Sequence, residues 1–274
     1  YDMMRGIGVS PEVNPAALEQ SYLIINNFCN QKLDNKKITF FTTGTVANTA
    51  PDILKQIADD GHEIGSHYHY HDLMFKQSNY EINKNLEKAK NAIFKASGQE
   101  PLGFRAPVFS IPESRVDIFQ EIEKFFKYDS SFVLDLKSKS IESYKEKPPF
   151  LLEHLKEFPI IPKYFFFNRA PIKSGGTFLR FFSKEKIKEV MDFNIETGFP
   201  ALIYMHPYDY LTEREFWVPL KHFISSKKIN NLVKYFRQIQ WIGIGNKSVF
   251  NKLDYLLDFY EHQGPMKDLI LDEK

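Results

Sequence analysis

Short apolar runs alternate with amphipathic segments along the whole of this 274-residue chain, and that alternation limits the folds open to it. Residues 38–43 are β-branched and aromatic, are closed by Gly44, and predict a buried strand. Residues 51–60 carry Ile53, Leu54, Ile57 and Ala58 at helical spacing, with Gly61 as the stop. A second strand is expected over 63–66. A long helix over 80–96 then shows Ile82, Leu86, Ala89 and Ile93 on one face and ends at Gly98. The pattern repeats as a strand at 103–106, a helix at 113–126, a strand at 127–130, a helix at 183–197 and a strongly apolar strand at 201–205. Helices over 220–238 and 246–260 close the chain. Repeated strand–helix units require a parallel sheet covered by helices, open or closed into a barrel. Between 137 and 162 there are four prolines and many charges without a period, so the region near 137–182 reads as an irregular insertion with edge strands. No internal repeat or interdomain linker is visible, and one domain over 1–274 is expected.

Composition is that of a globular protein, 43% hydrophobic and 26% charged, and the length suffices for a large core. Aromatic content is high at 15%, with 26 Phe and 14 Tyr, which suits a core and also a sugar-handling cleft. A net charge of +1 gives no electrostatic footprint for nucleic acid or an anionic membrane. The Lys-rich stretch at 137–147 reads as a solvated loop. The only cysteine, Cys29, falls in an amphipathic segment and reads as a buried core thiol. A single cysteine fits a reducing compartment, so a cytoplasmic chain is expected, with membrane association left open. No apolar run approaches a membrane span. The chain starts at Tyr1-Asp2 without an initiator methionine, and a processed or trimmed N-terminus is expected.

The stretch Gly65-Ser66-His67-Tyr68-His69-Tyr70-His71 holds three imidazoles. His67 and His71 are spaced i and i+4, which on a helical turn places both rings on one side. Two neutral imidazoles and a carboxylate can hold a divalent transition ion while leaving positions open, whereas a surface turn rich in His and Tyr needs no metal. His69 points away from this pair. Reactive groups in parallel α/β folds gather beyond the carboxyl ends of strands, and this chain puts Asp2, His67, Arg105, Asp129 and His206 at such ends. Each has an ordinary structural reading alone: a solvated terminus, a snorkelling arginine, a turn aspartate, a strand-end histidine. Together they assemble hydrolysis of an amide or ester, with a metal-polarised carbonyl, a proton-donating histidine, an arginine orienting a base and backbone N–H groups receiving an oxyanion.

Those residues lie in elements that resemble the polysaccharide deacetylases of carbohydrate esterase family 4. The matching elements are Ser66-His67-Tyr68-His69-Tyr70-His71, Phe104-Arg105-Ala106-Pro107, Tyr128-Asp129-Ser130-Ser131 and Tyr204-Met205-His206-Pro207, in family order. Ser174-Gly175-Gly176-Thr177-Phe178-Leu179-Arg180 is similar to a Gly-rich element of the branch associated with exopolysaccharide biosynthesis. The resemblance implies a distorted (β/α)7 barrel and a metal-dependent hydrolase of carbon–nitrogen bonds. The implied reaction removes an N-acetyl, less often an O-acetyl, group from a sugar of a bacterial surface polysaccharide or its lipid-linked precursor. It implies zinc or another divalent ion such as cobalt, held by Asp2, His67 and His71. His206 would be the general acid, Arg105 would orient the base, the Val108 N–H would bind the oxyanion, and Asp129 would support the site by holding His206. The implied partner is an acetylated glycan or lipid-linked sugar, not nucleic acid, and the oligomeric state is not implied.

The first family motif differs here, because Tyr1-Asp2-Met3-Met4 supplies one carboxylate where members carry two. In one register Asp2 is the metal ligand and the base lies upstream of Tyr1. In the other Asp2 is the base and a methionine stands where a ligand belongs. Two other readings stay open: a carbohydrate-binding member of the fold that lacks the base, and a deformylase or amidase for a small C–N substrate.

Overall fold

A computed structural model of the chain describes residues 13–146, 153–165, 170–213, 217–224 and 243–271, with isolated positions between 233 and 240. The chain divides into two compact units, Asn35–Ile161 with Gln263–Lys274, and Tyr1–Asp34 with Pro162–His262.

The unit built on Asn35–Ile161 carries a five-stranded parallel sheet in the order β1-β2-β3-β4-β5. The strands are short: β1 Thr39–Thr42, β2 Glu63–Ser66, β3 Gly103–Phe104, β4 Tyr128–Asp129 and β5 Lys156–Glu157. Register runs Thr42 to Ser66, Ser66 to Phe104, Phe104 to Asp129 and Asp129 to Glu157. The carboxyl ends of all five strands are therefore level, and the residues just beyond them are neighbours. The terminal strand β5 comes from the Pro-rich stretch in which edge strands were expected.

Helix Asn79–Ser97 packs on this sheet through fully buried Ile82, Leu86, Ala89 and Ile93, the face predicted from spacing. Burying each large aliphatic side chain contributes about 1.5–3 kcal/mol. A Ser78/Glu81 capping box starts the helix and Gly98, at φ 74°, ends it. The helix expected over 113–126 is broken into a single 3-10 turn, Glu113–Arg115, and a short helix, Asp117–Glu123. The break has a cause: Arg115 donates to Phe75 and Gln77 carbonyls, to Asn79 and to Asp117, which pins that turn outside helical register. A helix at Gly44–Thr49, capped by Thr43, follows β1 where only a strand-closing glycine was expected.

At the amino end of the sheet Glu63 is buried and accepts from Thr39 Oγ1 at 2.5 Å, Tyr128 Oη at 2.8 Å and the Lys267 N–H at 3.0 Å. Beside it, His62 Nδ1 accepts the Ile38 N–H at 3.2 Å. Burial, and secondarily the Lys37 charge, hold its pKa down at about 4.

The second unit contains helix Pro15–Lys32, which buries Tyr22, Ile25 and Cys29, so the lone thiol is in the core as expected. It also holds the antiparallel pair β6 Lys163–Phe165 and β7 Ala170–Ile172. Helices Lys184–Glu196 and Val249–Leu257 join Leu179 in a core cluster of Leu179, Ile187, Val249, Leu253 and Leu256. The run 201–205 packs Ile203 and Met205 on that cluster but forms no strand ladder among the described residues. Its carbonyls are taken by the neighbouring Gly-rich segment instead, Leu202 O by Ser174 Oγ and Tyr204 O by the Gly176 N–H. Of the helix expected over 220–238, Leu220–Ile224 is described, and the one over 246–260 opens as a 3-10 turn before Val249–Leu257. Among the described residues no helix is long and apolar enough to cross a membrane.

Candidate active site

His67 leaves the end of β2, its N–H donating to Thr42 O at 2.7 Å. The next residue, Tyr68, is left-handed at φ 70°, an uncommon conformation for a large side chain. It is held there from three directions: its N–H donates to Ser66 Oγ at 3.3 Å, its hydroxyl to Gln77 Oε1 at 2.6 Å, and its carbonyl accepts the Gly44 N–H at 2.9 Å. The segment is thus an irregular turn, which corrects the helical turn inferred from i, i+4 spacing. The two imidazoles still meet, with His67 and His71 ring centroids 5.0 Å apart. His69 goes elsewhere, as expected: it is buried against Gly44, where an added Cβ would lie 2.1 Å from its Nδ1.

The tautomer of His67 follows from its neighbour. Its Nδ1 lies 2.7 Å from Arg105 O, a pure acceptor, so in the neutral ring Nδ1 carries the hydrogen and Nε2 the lone pair. Arg105 sits just past β3, its N–H bonded to Ser66 O at 2.9 Å. Its guanidinium donates from Nε to Ser130 O at 3.1 Å and from NH2 to Ser130 Oγ at 2.7 Å, and lies over the Phe41 ring at 4.5 Å. Ser130 Oγ in turn donates to Phe158 O at 2.8 Å, so three strand ends are linked.

After Ala106-Pro107 the backbone turns left-handed at both Val108 (φ 57°) and Phe109 (φ 52°). Val108 is 62% exposed despite being apolar and β-branched, so neither burial nor propensity explains the conformation. Such strain clusters at active sites, ligand clamps and switch regions.

Asp129, at the end of β4, is buried and accepts from Ser131 Oγ at 2.6 Å and the Ser131 N–H at 3.0 Å. Ser131 Oγ also receives the Ala106 N–H at 2.7 Å, tying Asp129 to the Val108 turn. Glu157 on β5, which accepts the Phe132 N–H at 3.0 Å, is its partner carboxyl. Burial and the Asp129 charge push the Glu157 pKa well above the ordinary carboxylate range. Sequence reading missed Glu157, which lies in a stretch without periodicity and carries no motif.

In the other unit His206 is held by a residue that went unnoticed in the sequence. Asp209 Oδ2 accepts both the His206 N–H at 2.8 Å and, at 3.0 Å, the hydrogen of Nδ1. The resemblance gave the holding of His206 to Asp129; within its own unit the ring is held by Asp209. An acid three residues after a strand-end residue, on a Pro-initiated turn, is a capping signal that could have revealed it. Asp2 lies outside the described residues.

Among the described residues no group of three His, Cys, Asp or Glu side chains is placed to hold a metal. The His67–His71 pair nonetheless fits an imidazole-preferring divalent ion in donor type and in the locked tautomer of His67.

Residues 32–123 match the polysaccharide deacetylase family model. Over 100 residues the chain is 31% identical to a peptidoglycan-N-acetylglucosamine deacetylase, PgdA, of Listeria monocytogenes serotype 1/2a, covering 36% of this chain and 19% of that protein. Over 85 residues it is 33% identical to a peptidoglycan-N-acetylglucosamine deacetylase of Bacillus cereus, covering 31% of each. The chain thus spans less than a third of the length of these relatives. A solved structure described as a putative polysaccharide deacetylase from Mycobacterium smegmatis superposes with a TM-score of 0.54 at 16% identity, covering 93% of this chain and 76% of that one, a likeness of fold.

Proposed function

We propose that this chain, whose residues 32–123 match the polysaccharide deacetylase family model, hydrolyses the N-acetyl group of an amino sugar in a surface polysaccharide or its lipid-linked precursor. The observation that carries the proposal is the His67–His71 pair, brought to 5.0 Å between ring centroids with His67 locked through Arg105 O. His67 and His71 would hold a divalent ion, zinc or cobalt, with Asp2 as carboxylate ligand or as base according to register. When bound, the ion supplies Lewis acidity toward the acyl group.

The remaining work falls to side chains and backbone. The Val108 N–H, aimed by its left-handed turn, would receive the oxyanion. Arg105 would orient the base while bridging to Ser130. His206 would give a proton from Nε2 to the nitrogen that leaves with the C–N electron pair. Asp129 would support the Val108 turn through Ser131 rather than act on substrate. The nearly balanced charge and high aromatic content suit an uncharged glycan, and the exopolysaccharide setting rests on the Ser174–Arg180 resemblance.

The test is acetate release from N-acetylated glucosamine oligomers and from O-acetylated controls by zinc- or cobalt-loaded full-length protein. N-acetyl turnover that falls on the order of 10²–10⁴-fold in His206→Ala supports the reading. Glycan binding without acetate release from any substrate would reject it in favour of a carbohydrate-binding member of the fold.

A further inference from the structure

We propose that Arg180 and Asp209 are positioning residues for His206, and that the Gly-rich segment from Ser174 to Arg180 exists to deliver the Arg180 guanidinium to Asp209. The proton-donor role of His206 rests on the deacetylase reading; the positioning itself rests on geometry within one unit. Arg180 Nε and Asp209 Oδ1 are 2.9 Å apart, and both side chains are 0% exposed. Two opposite charges taken wholly out of water are a poor means of stabilising a fold, since apolar residues of the same volume serve as well or better. Here the pair shares Asp209 with His206, so orientation is the role we assign to it.

Every part of the segment serves the placement. The Gly176 N–H donates to Tyr204 O at 2.9 Å, so the loop lies flush along the run leading to His206. At Gly175 an added Cβ would stand 2.3 Å from Tyr204 O, so no side chain fits there. Helix Thr177–Phe181 then carries Arg180 inward. Its end is fixed by Lys252 Nζ, which donates to Leu179 O, Arg180 O and Phe182 O at 2.8, 2.8 and 2.7 Å. From the far side, Arg180 NH1 donates to Gln240 O at 3.0 Å and Ile244 O at 3.3 Å.

Both Asp209 oxygens are committed, Oδ1 to Arg180 and Oδ2 to His206. Tyr208 stacks on the imidazole at 4.6 Å and 8°, fixing the ring plane. His206 remains 38% exposed at its side chain. Because an ionised carboxylate only accepts, Nδ1 keeps its hydrogen in the neutral and the charged ring, and the transferable proton is the one on Nε2. On transfer the C–N bond breaks, nitrogen takes its electron pair and that proton, and a neutral Nδ1–H imidazole stays on Asp209.

The decisive variant is Asp209→Asn, nearly isosteric and neutral. Arg180 offers only donors, so it retains the amide oxygen and turns the NH2 toward His206 Nδ1. The ring must then place its hydrogen on Nε2, and the charged ring loses its acceptor. Side-chain ¹⁵N NMR, with the His206 signals assigned by their absence in His206→Ala, should report Nδ1–H in the wild type and Nε2–H in Asp209→Asn. With acetate release as readout, kcat should fall on the order of 10³-fold while KM stays nearly unchanged. Arg180→Lys, which keeps the charge but not the fork, should fall between the two. An unchanged tautomer, or an Asp209→Asn enzyme with wild-type kcat, overturns the proposal even where acetate release upholds the deacetylase reading. If the wild type releases no acetate, that reading falls and the ¹⁵N comparison alone decides the positioning.

Discussion

Glu157 ends β5, and Val108 lies in the turn that follows β3. Glu157 binds a proton in the folded state that the unfolded chain releases at lower pH. Its raised pKa therefore lends stability at acidic pH that is lost as pH rises above the ordinary carboxylate range and through the folded value. Glu157→Gln mimics the protonated form, so its urea midpoint should match wild type in acid and exceed it increasingly on the alkaline side. Val108 holds strain of about 1–3 kcal/mol in its left-handed conformation. Val108→Gly releases that strain but adds about 0.5–1 kcal/mol of unfolded-state entropy, so stability should hold or rise slightly. Acetate release should nevertheless fall several-fold, because the aimed N–H gains freedom. The places of Asp129, Arg105 and His206 after apolar runs were legible, since a polar residue there interrupts a pattern. Glu157 and Asp209 were not: one sits in a stretch without periodicity, the other was overshadowed by the His-Pro pair before it.

The strands and helices that hold these residues were readable where spacing alone decides them. Residues 39–42, 63–66 and 79–97 fell where expected because short strand-length runs, and for the helix a 3.6-residue burial period, coincide with turn signals at their ends. Residues 201–205 were apolar enough for a strand, yet hydrogen bonds from Ser174 and Gly176 occupy carbonyls that a ladder would use. Non-local competition of that kind leaves no trace in local pattern. The loop at 67–71 failed in the same way: its shape depends on Gly44, 25 residues before His69, which spacing cannot report. Gly44→Ala should therefore cost about 1–3 kcal/mol of stability through the displaced His69 ring. It should also weaken zinc binding by the His67–His71 pair, measured by competition with a chromophoric chelator.

At the scale of the chain, a buried histidine makes stability depend on acid. His62 is depressed to about 4 by burial, against about 6.5 when unfolded. A histidine buried neutral takes up its proton later than the unfolded chain does, so stability declines as pH falls from about 6.5 toward about 4. His62→Gln, which keeps an acceptor for the Ile38 N–H, should flatten that decline in urea midpoints taken between pH 7 and pH 4. The α/β class and parallel order were open to sequence reading, because alternation of elements is a property of the entire chain. The single left-handed residue between the two imidazoles has a practical corollary for anyone wishing to transplant this centre. Copying seven letters onto a designed helix would keep the interval but not this arrangement of the rings, and a graft that preserves it must import Tyr68 with its three tethers, the Gly44 clearance and the adjoining arginine carbonyl.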